Sequence, residues 1–288
     1  MVVDFQLQEV SEQGPVALTP FHQWVFPGGA IWTQFYRQTG KYLLRFPGLA
    51  DFHVSEDGGQ VVCRPAAGVS AQTVLHLYEN QVVPLALSLL GALVFHASAV
   101  EVDGYGIAFV GESGHGKSTL AASFSTNGFR FLSDDGFIVE EAGDGYRVLP
   151  SHPSIRLWGD SEKALMGHGV KLAPPVQYSP KARFLADDRV VFCAEPQPLQ
   201  RVYFLGEGKA PKIGFQRMSA SEALIELVKH SFLLDIEARD LIAAHFDRVA
   251  KLAAQPVHYR LDYPRRFEQL ALVRQAIVDH TCEAKEAA

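Results

Sequence analysis

Short runs of alternating or β-branched apolar residues at Ala30–Tyr36, Tyr42–Phe46, Phe52–Ser55 and Gln60–Cys63 predict strands, with turns at Gly28-Gly29 and Gly58-Gly59. Residues 1–68 are therefore expected to form a β-rich N-terminal region. Over Val69–Leu90 the period changes: Val74, Leu77, Leu85 and Leu89 fall at helical spacing, and Pro84 is expected to kink or divide that helix. Leu93–Val102 reads as one strand ending at the Asp103-Gly104 turn, and Gly106–Val110 as a wholly apolar strand of the kind buried on both faces.

Further along, helices are predicted at Ser118–Ser125, at residues 161–171, at Ser219–Lys229, at Ile236–Ala254 and at Phe267–Asp279. Ser219 with Glu222 has the form of a capping box, and Asn127-Gly128 is a helix stop. Strands are predicted at Phe129–Leu132, Arg189–Phe192, Arg201–Leu205 and Val257–Leu261, with a hairpin from Phe137–Glu140 to Tyr146–Leu149. Ala173–Pro180 is expected to be a proline-bearing loop and Cys282–Ala288 a frayed tail. Mixed strands and helices of this order predict an α/β chain, with residues 69–288 as its larger domain.

One segment adds chemistry to this pattern. Gly111-Glu-Ser-Gly-His-Gly-Lys117-Ser118 has the form G-x-x-x-x-G-K-[ST], preceded by an apolar strand and followed by a helix start. Phosphate oxygens are met by backbone N–H groups at close range, so Gly111, Gly114 and Gly116 remove β-carbons where a ligand must approach. Lys117 can bridge the terminal phosphates and Ser118 can hold Mg²⁺, with Thr119 second for that role. Gly111, Ser113, Gly114, His115, Gly116, Lys117, Ser118 and Thr119 are the expected nucleotide-binding residues, for ATP with Mg²⁺. His115 occupies a variable position of the motif.

Phosphoryl transfer also needs an acid near the metal. Asp134-Asp135, at the end of the next predicted strand, are the candidates, because parallel strand ends share an edge of a sheet. His96 is a candidate proton donor, and Arg156, flanked by apolar Ile155 and Leu157, a candidate for neutralising transition-state charge. The pair Lys181/Arg183 shares that candidacy. Asp187-Asp188 reads as an exposed turn, and Arg265-Arg266 as a surface feature or the partner of a nearby acid.

Charge and cysteines narrow the class. A net charge of −6 and a pI near 6.0 give no long-range attraction to nucleic acid or an anionic membrane. Cys63, Cys193 and Cys282 have no metal-ligand or disulfide spacing. The N-terminus lacks the form of a signal peptide, and the apolar stretch Val82–Val100 is too interrupted for a membrane span, so a cytoplasmic enzyme is expected.

The block from His96 through the glycine-rich motif to Gly128-Phe-Arg-Phe-Leu-Ser-Asp134-Asp135 resembles the catalytic domain of HPr kinase/phosphorylase, and Ser154-Ile-Arg156 falls where that family has Glu-Ile-Arg-Gly. The resemblance implies a P-loop kinase core of the phosphoenolpyruvate-carboxykinase/HPr kinase type, and ATP-dependent phosphorylation of a serine hydroxyl. Carried over, Lys117 grips phosphate, and Asp134 and Asp135 supply the base and a metal contact, with Ser118 and Asp135 on the metal. His96 and Arg156 line the site. Ala97, Thr119 and Ser154 depart from the family's Gly, Glu and Glu. Ile155–Trp158 and Leu261–Arg265 also look like HPr-kinase-related proteins of peptide modification, some of which phosphorylate lasso-peptide precursors. A peptide or small-protein substrate and a homo-oligomer are what the resemblance implies. A small-molecule kinase or carboxykinase-like enzyme, and a nucleotide-gated binding module without transfer, are the alternatives.

Overall fold

The computed structural model describes residues 3–26, 28–166 and 170–286, and the chain divides into two compact units. The first holds residues 1–92, 175–179 and 232–244. Its sheet orders β1 (Asp4–Leu7), β6 (Gln60–Pro65), β5 (Ala50–Ser55), β4 (Lys41–Phe46), β3 (Ile31–Gln38) and β2 (His22–Val25), antiparallel except for β1 with β6. Leu44, Phe46, Phe52, Val61 and Cys63 turn their side chains to one buried face, as a period of two requires. Helices α1 (Ala71–Leu77) and α2 (Val83–Leu89) supply Val74, Leu77, Leu85 and Ala86 to that core. The unit therefore runs past the boundary expected at residue 68.

A π-helical turn at Tyr78–Val82 joins the two helices, and Pro84 lies at the start of the second. Proline has no N–H for the preceding turn, and the chain widens just where that bond is missing. The β5–β6 turn presses on α2. Gly58 has φ +75, and a β-carbon there would come 2.5 Å from the carbonyl oxygen of Ala86, so glycine is required twice over. Asp235 fastens residues 232–244 to the sheet: its carboxylate accepts from Arg37 Nε at 2.8 Å and Tyr42 OH at 3.1 Å.

The second unit holds residues 93–174, 180–231 and 245–288. Its elements are β7 (Leu93–Phe95), β8 (Ala97–Val102), β9 (Tyr105–Val110), α3 (Lys117–Ser125), β10 (Arg130–Ser133), β11 (Phe137–Ala142), β12 (Gly145–Leu149), β13 (Ser154–Leu157), α4 (Gly159–Leu165), β14 (Ala182–Leu185), β15 (Gln197–Leu205), β16 (Lys209–Arg217), α5 (Ala220–Lys229), α6 (Arg239–Ala253, begun in the first unit), β17 (His258–Pro264) and α7 (Leu270–Glu286). Among the described residues nine of these strands form one mixed sheet. β15 lies parallel to both β9 and β17, whereas β8 is antiparallel to both β9 and β10. It follows that β9, β10, β15 and β17 all point the same way and β8 points back.

Both faces of this sheet are covered, which explains the unbroken apolar run of β9. Ile107 and Phe109 pack with residues of α3 and α7 on one side, and Ala108 and Val110 with residues of α5 and α6 on the other. The capping box of Ser219 and Glu222 forms at the start of α5 as its sequence predicts.

Several expectations are corrected. The strand expected over Leu93–Val102 is two, broken at His96, whose N–H leaves the sheet for the carbonyl of His230 at 2.7 Å. The strand expected at Arg189–Phe192 is absent. Asp187 accepts the N–H groups of Arg189 and Val190, which turns the chain, and Phe192 makes an isolated bridge to Phe131. The helix expected over 161–171 starts earlier and stops at Leu165, and residues 167–169 lie outside the described residues. The helix expected from Ile236 starts at Arg239, because Asp235 takes the N–H groups of Glu237 and Ala238. The tail expected to fray from Cys282 stays helical through Glu286. No helix among the described residues is long and apolar enough to cross a membrane.

Burial also sets an acid limit. His258 is enclosed in β17, and burial pushes its imidazole down to about 4 from 6.5, against the bond to the Gln255 carbonyl. The unfolded chain takes up this proton near pH 6.5 and the folded chain only near pH 4, so stability falls as pH drops through that window. The full loss from this histidine is on the order of 3 kcal/mol. Denaturant midpoints measured across that range should fall on acidification, and the fall should be shallower in His258→Phe.

Candidate functional site

The strand directions gather the candidate residues. The glycine-rich loop follows β9, Asp134-Asp135 follow β10, Gly206 follows β15 and Arg265 follows β17, all at one edge of the sheet. β8 begins at that edge, which brings in His96 and Ser98. A cavity of about 210 Å³ opens there, lined by the loop and by His96, Asp135, Arg156 and Lys181.

The loop runs straight from β9 into α3. Gly114 and Gly116 have φ of +83 and +92, the left-handed region that L side chains avoid, so the two glycines shape the turn. Lys117 is 6% exposed, and its ammonium donates to the carbonyls of Gly111 at 2.7 Å and Glu112 at 3.1 Å. Burial lowers its pKa, opposed by Asp135 and Asp134. Ser113, Gly114, Gly116, Ser118 and Thr119 line the cavity with it. Gly111 lies behind them, and His115 turns aside, donating from Nδ1 to the Leu205 carbonyl at 3.3 Å.

Asp134 and Asp135 are both buried, and their surroundings differ. Asp134 accepts from Ser98 Oγ at 2.6 Å and from the Arg156 backbone N–H at 2.9 Å. Burial and the neighbouring Asp135 raise its pKa, while these bonds and one from Ser118 pull it back. Asp135 lines the cavity in a left-handed conformation, φ +66, which asparagine and aspartate tolerate best among side-chain-bearing residues. Burial pushes its carboxyl up, but Arg156, then Lys181 and His96, outweigh burial and hold it below the ordinary range. The Arg156 guanidinium donates to Asp135 Oδ2 through Nε at 2.7 Å and through Nη2. His96 donates from Nδ1 to the Asp135 carbonyl at 3.3 Å, and burial lowers its pKa to about 4, so the imidazole is neutral at pH 7.

The structure thus brings His96, Lys117, Asp134, Asp135 and Arg156 together and leaves His115 facing away. Of the pair Lys181/Arg183, Lys181 lines the cavity, while Arg183 stands across from Arg156 on β14. Arg265 is exposed, as a surface feature is expected to be, and it also clamps the loop. Its guanidinium donates to the carbonyls of Gly114 and Glu207. Ser98 was missed, although a hydroxyl in a run of small and apolar residues on a buried strand was a visible signal. Asp187 makes an exposed turn, as expected.

The fold and site define a mixed α/β protein with a glycine-rich strand-to-helix loop facing two buried carboxylates and an arginine. No family model matches the chain. HPr kinase/phosphorylase of Prosthecochloris aestuarii is 38% identical over 61 residues, which is 21% of this chain and 18% of that protein. The chain therefore spans less than a fifth of that relative's length. The solved structure of the Hpr(Ser) kinase/phosphatase from Coxiella burnetii aligns with 67% of this chain and 93% of its own, at 11% identity and a TM-score of 0.38. By the sequence match, this chain is related to HPr kinase/phosphorylase.

Gly116→Ala places a side chain at φ +92 with its β-carbon 3.1 Å from Tyr263 OH. The left-handed penalty of about 1–2 kcal/mol should lower the thermal midpoint by a few degrees. Gly145→Ala, where a β-carbon meets nothing within 4 Å, should leave it nearly unchanged in the same scans.

Proposed function

We propose that this chain is a P-loop kinase: it binds ATP with Mg²⁺ on the loop 111–118 and transfers the γ-phosphoryl group to a serine hydroxyl of a peptide or small protein. The observation that carries the reading is Lys117 and the buried pair Asp134-Asp135 at one sheet edge around a cavity that also receives Arg156 and Lys181. The relation to HPr kinase/phosphorylase supports a kinase; the serine hydroxyl and the peptide that carries it are part of the proposal.

The donor set fits the cofactor. Five cationic side chains, Lys117, Arg156, Lys181, Arg265 and Arg266, line one cavity of a chain whose net charge is −6. A concentration of positive charge against the net sign suits a polyphosphate. Among the described residues no group of three or more His, Cys, Asp or Glu forms a metal cage. Mg²⁺ takes one or two carboxylates and fills its remaining positions with phosphate and water, and Ser118 and Asp135 both line the cavity. Bound Mg²⁺ neutralises charge on the phosphate oxygens.

The residues divide the remaining tasks. Ser118 and Asp135 hold the metal, Asp135 being the carboxylate that lines the cavity and stays ionised beside Arg156. Asp134, whose pKa is raised, is the better acceptor for the serine proton. Lys117 turns its ammonium from the loop carbonyls to the β- and γ-phosphates. Arg156 and Lys181 stabilise charge that grows on the transferring group. His96, neutral, donates a hydrogen bond and leaves the local charge to the other groups.

With labelled ATP and serine-containing peptides, Lys117→Ala should lower the transfer rate by roughly 10²–10³-fold, because a preorganised donor to developing charge is lost. Asp134→Asn and Asp135→Asn should each do likewise. Transfer that persists in both carboxylate variants would refute the mechanism. MgATP at a hundredfold excess over its Kd should stabilise the wild-type fold by about 2.7 kcal/mol, read as a rise in thermal midpoint.

A further inference from the structure

Two large aromatic rings stand half-open at the same cavity. Trp158, the residue before α4, is 49% exposed, and Phe267, in the 3₁₀ turn before α7, is 39% exposed. Both line the cavity, and neither is used by the residues assigned above to phosphate, metal or proton. The neighbouring Leu157 and Leu270 are buried and belong to the core. Rings left open at a concave polar site, beside apolar neighbours that are fully packed, mark ligand contact.

Their position along the loop can be traced. A triphosphate on such a loop has its terminal phosphates at the lysine and its α-phosphate at the first turn of the helix. Lys117, Asp135 and Arg156 mark the terminal end. Thr119, in the first turn of α3, hydrogen-bonds Ser161 Oγ at 3.0 Å, and Ser161 lies in the first turn of α4. Trp158 lies in the short stretch of chain that joins Arg156 to Ser161. Lys181 Nζ lies 5.5 Å from the centre of the Trp158 ring, a cation–π contact that holds the indole beside the phosphate charge. Phe267 adds a ring from a separate element.

We propose that Trp158 and Phe267 form the stacking platform for the base of a purine nucleoside triphosphate. The proposal rests on the assignment of the loop to a triphosphate and goes beyond it, since the loop itself reads phosphates and no base. Every base has an aromatic face, so such a platform selects by stacking area and favours purines over pyrimidines.

Calorimetric titration of the full chain with MgATP and with magnesium tripolyphosphate, which has no base, separates the two assignments. Wild type should bind MgATP more tightly, with stacking contributing roughly five- to hundredfold. Trp158→Ala and Phe267→Ala should each weaken MgATP and leave tripolyphosphate binding unchanged, and Trp158→Phe should restore most of the difference. Equal affinity of wild type for the two ligands overturns the platform while the loop assignment stands. So does an undiminished preference for MgATP in both alanine variants, including the case where they raise only the KM of the peptide. A parallel loss of both ligands in the variants also overturns it, placing the rings on the phosphates. Binding of neither ligand by wild type overturns the loop assignment and the platform with it.

Discussion

Two carboxylates side by side in a buried site repel each other and resist desolvation, so they need a cation held in fixed geometry. Arg156 is that cation. Its guanidinium reaches one oxygen of Asp135 through two nitrogens, and its backbone N–H reaches Asp134. One residue of β13 thereby serves both acids by different means. The pair responds asymmetrically: the carboxyl beside the guanidinium is held low, and the one that receives only neutral donors is pushed up. Neighbouring acids whose environments drive them apart are able to take different chemical roles. The arrangement depends on β13 being a strand, since pairing with β14 fixes the direction of the Arg156 N–H.

A second constraint is directional. The loop, the acid pair and Arg265 meet because four strands end at the same edge, and β8, running back between β9 and β10, begins there. This return strand carries Ser98 to Asp134 and puts His96 at its start. The break before β8 is part of the same solution. A continuous strand would keep the N–H of His96 in a sheet ladder; the kink gives that N–H to His230 and leaves the ring free to reach the Asp135 carbonyl.

Local chemistry was therefore legible in the sequence to the extent that it was local. The glycine-rich motif, its flanking strand and helix, and the Ser219 capping box are short-range patterns, and each formed where its residues predict. The break at His96 was illegible because strand-forming residues stand on both sides of it, at Leu93–Phe95 and Ala97–Val102, and the cause of the break, the His230 carbonyl, is distant in sequence. The contact of Arg265 with the loop was illegible for the same reason. Two adjacent arginines after a proline have the composition of a surface turn, and what assigns Arg265 to the loop is the parallel alignment of β15 and β17. Ser98 gave a signal, a hydroxyl in a strand destined for burial, but its partner Asp134 follows another strand of the sheet.

The clamp by Arg265 bears on how the loop is kept ready. A glycine-rich loop is costly to order, since glycine loses the most conformational freedom. Here its carbonyls are satisfied by the chain's own cations: Gly111 and Glu112 by Lys117, and Gly114 by Arg265. Gly208 makes room for this, because a β-carbon there would stand 2.2 Å from Arg265 Nε. The loop thus has its shape before an anion arrives, and the ordering cost falls on folding and not on binding. On the proposed function Lys117 also serves the ligand, and its burial, which lowers its pKa, would raise the gain from meeting a phosphate charge. If the loop binds a triphosphate as proposed, the site is arranged around an exchange: an ammonium that closes the loop on two carbonyls would be released to the phosphates.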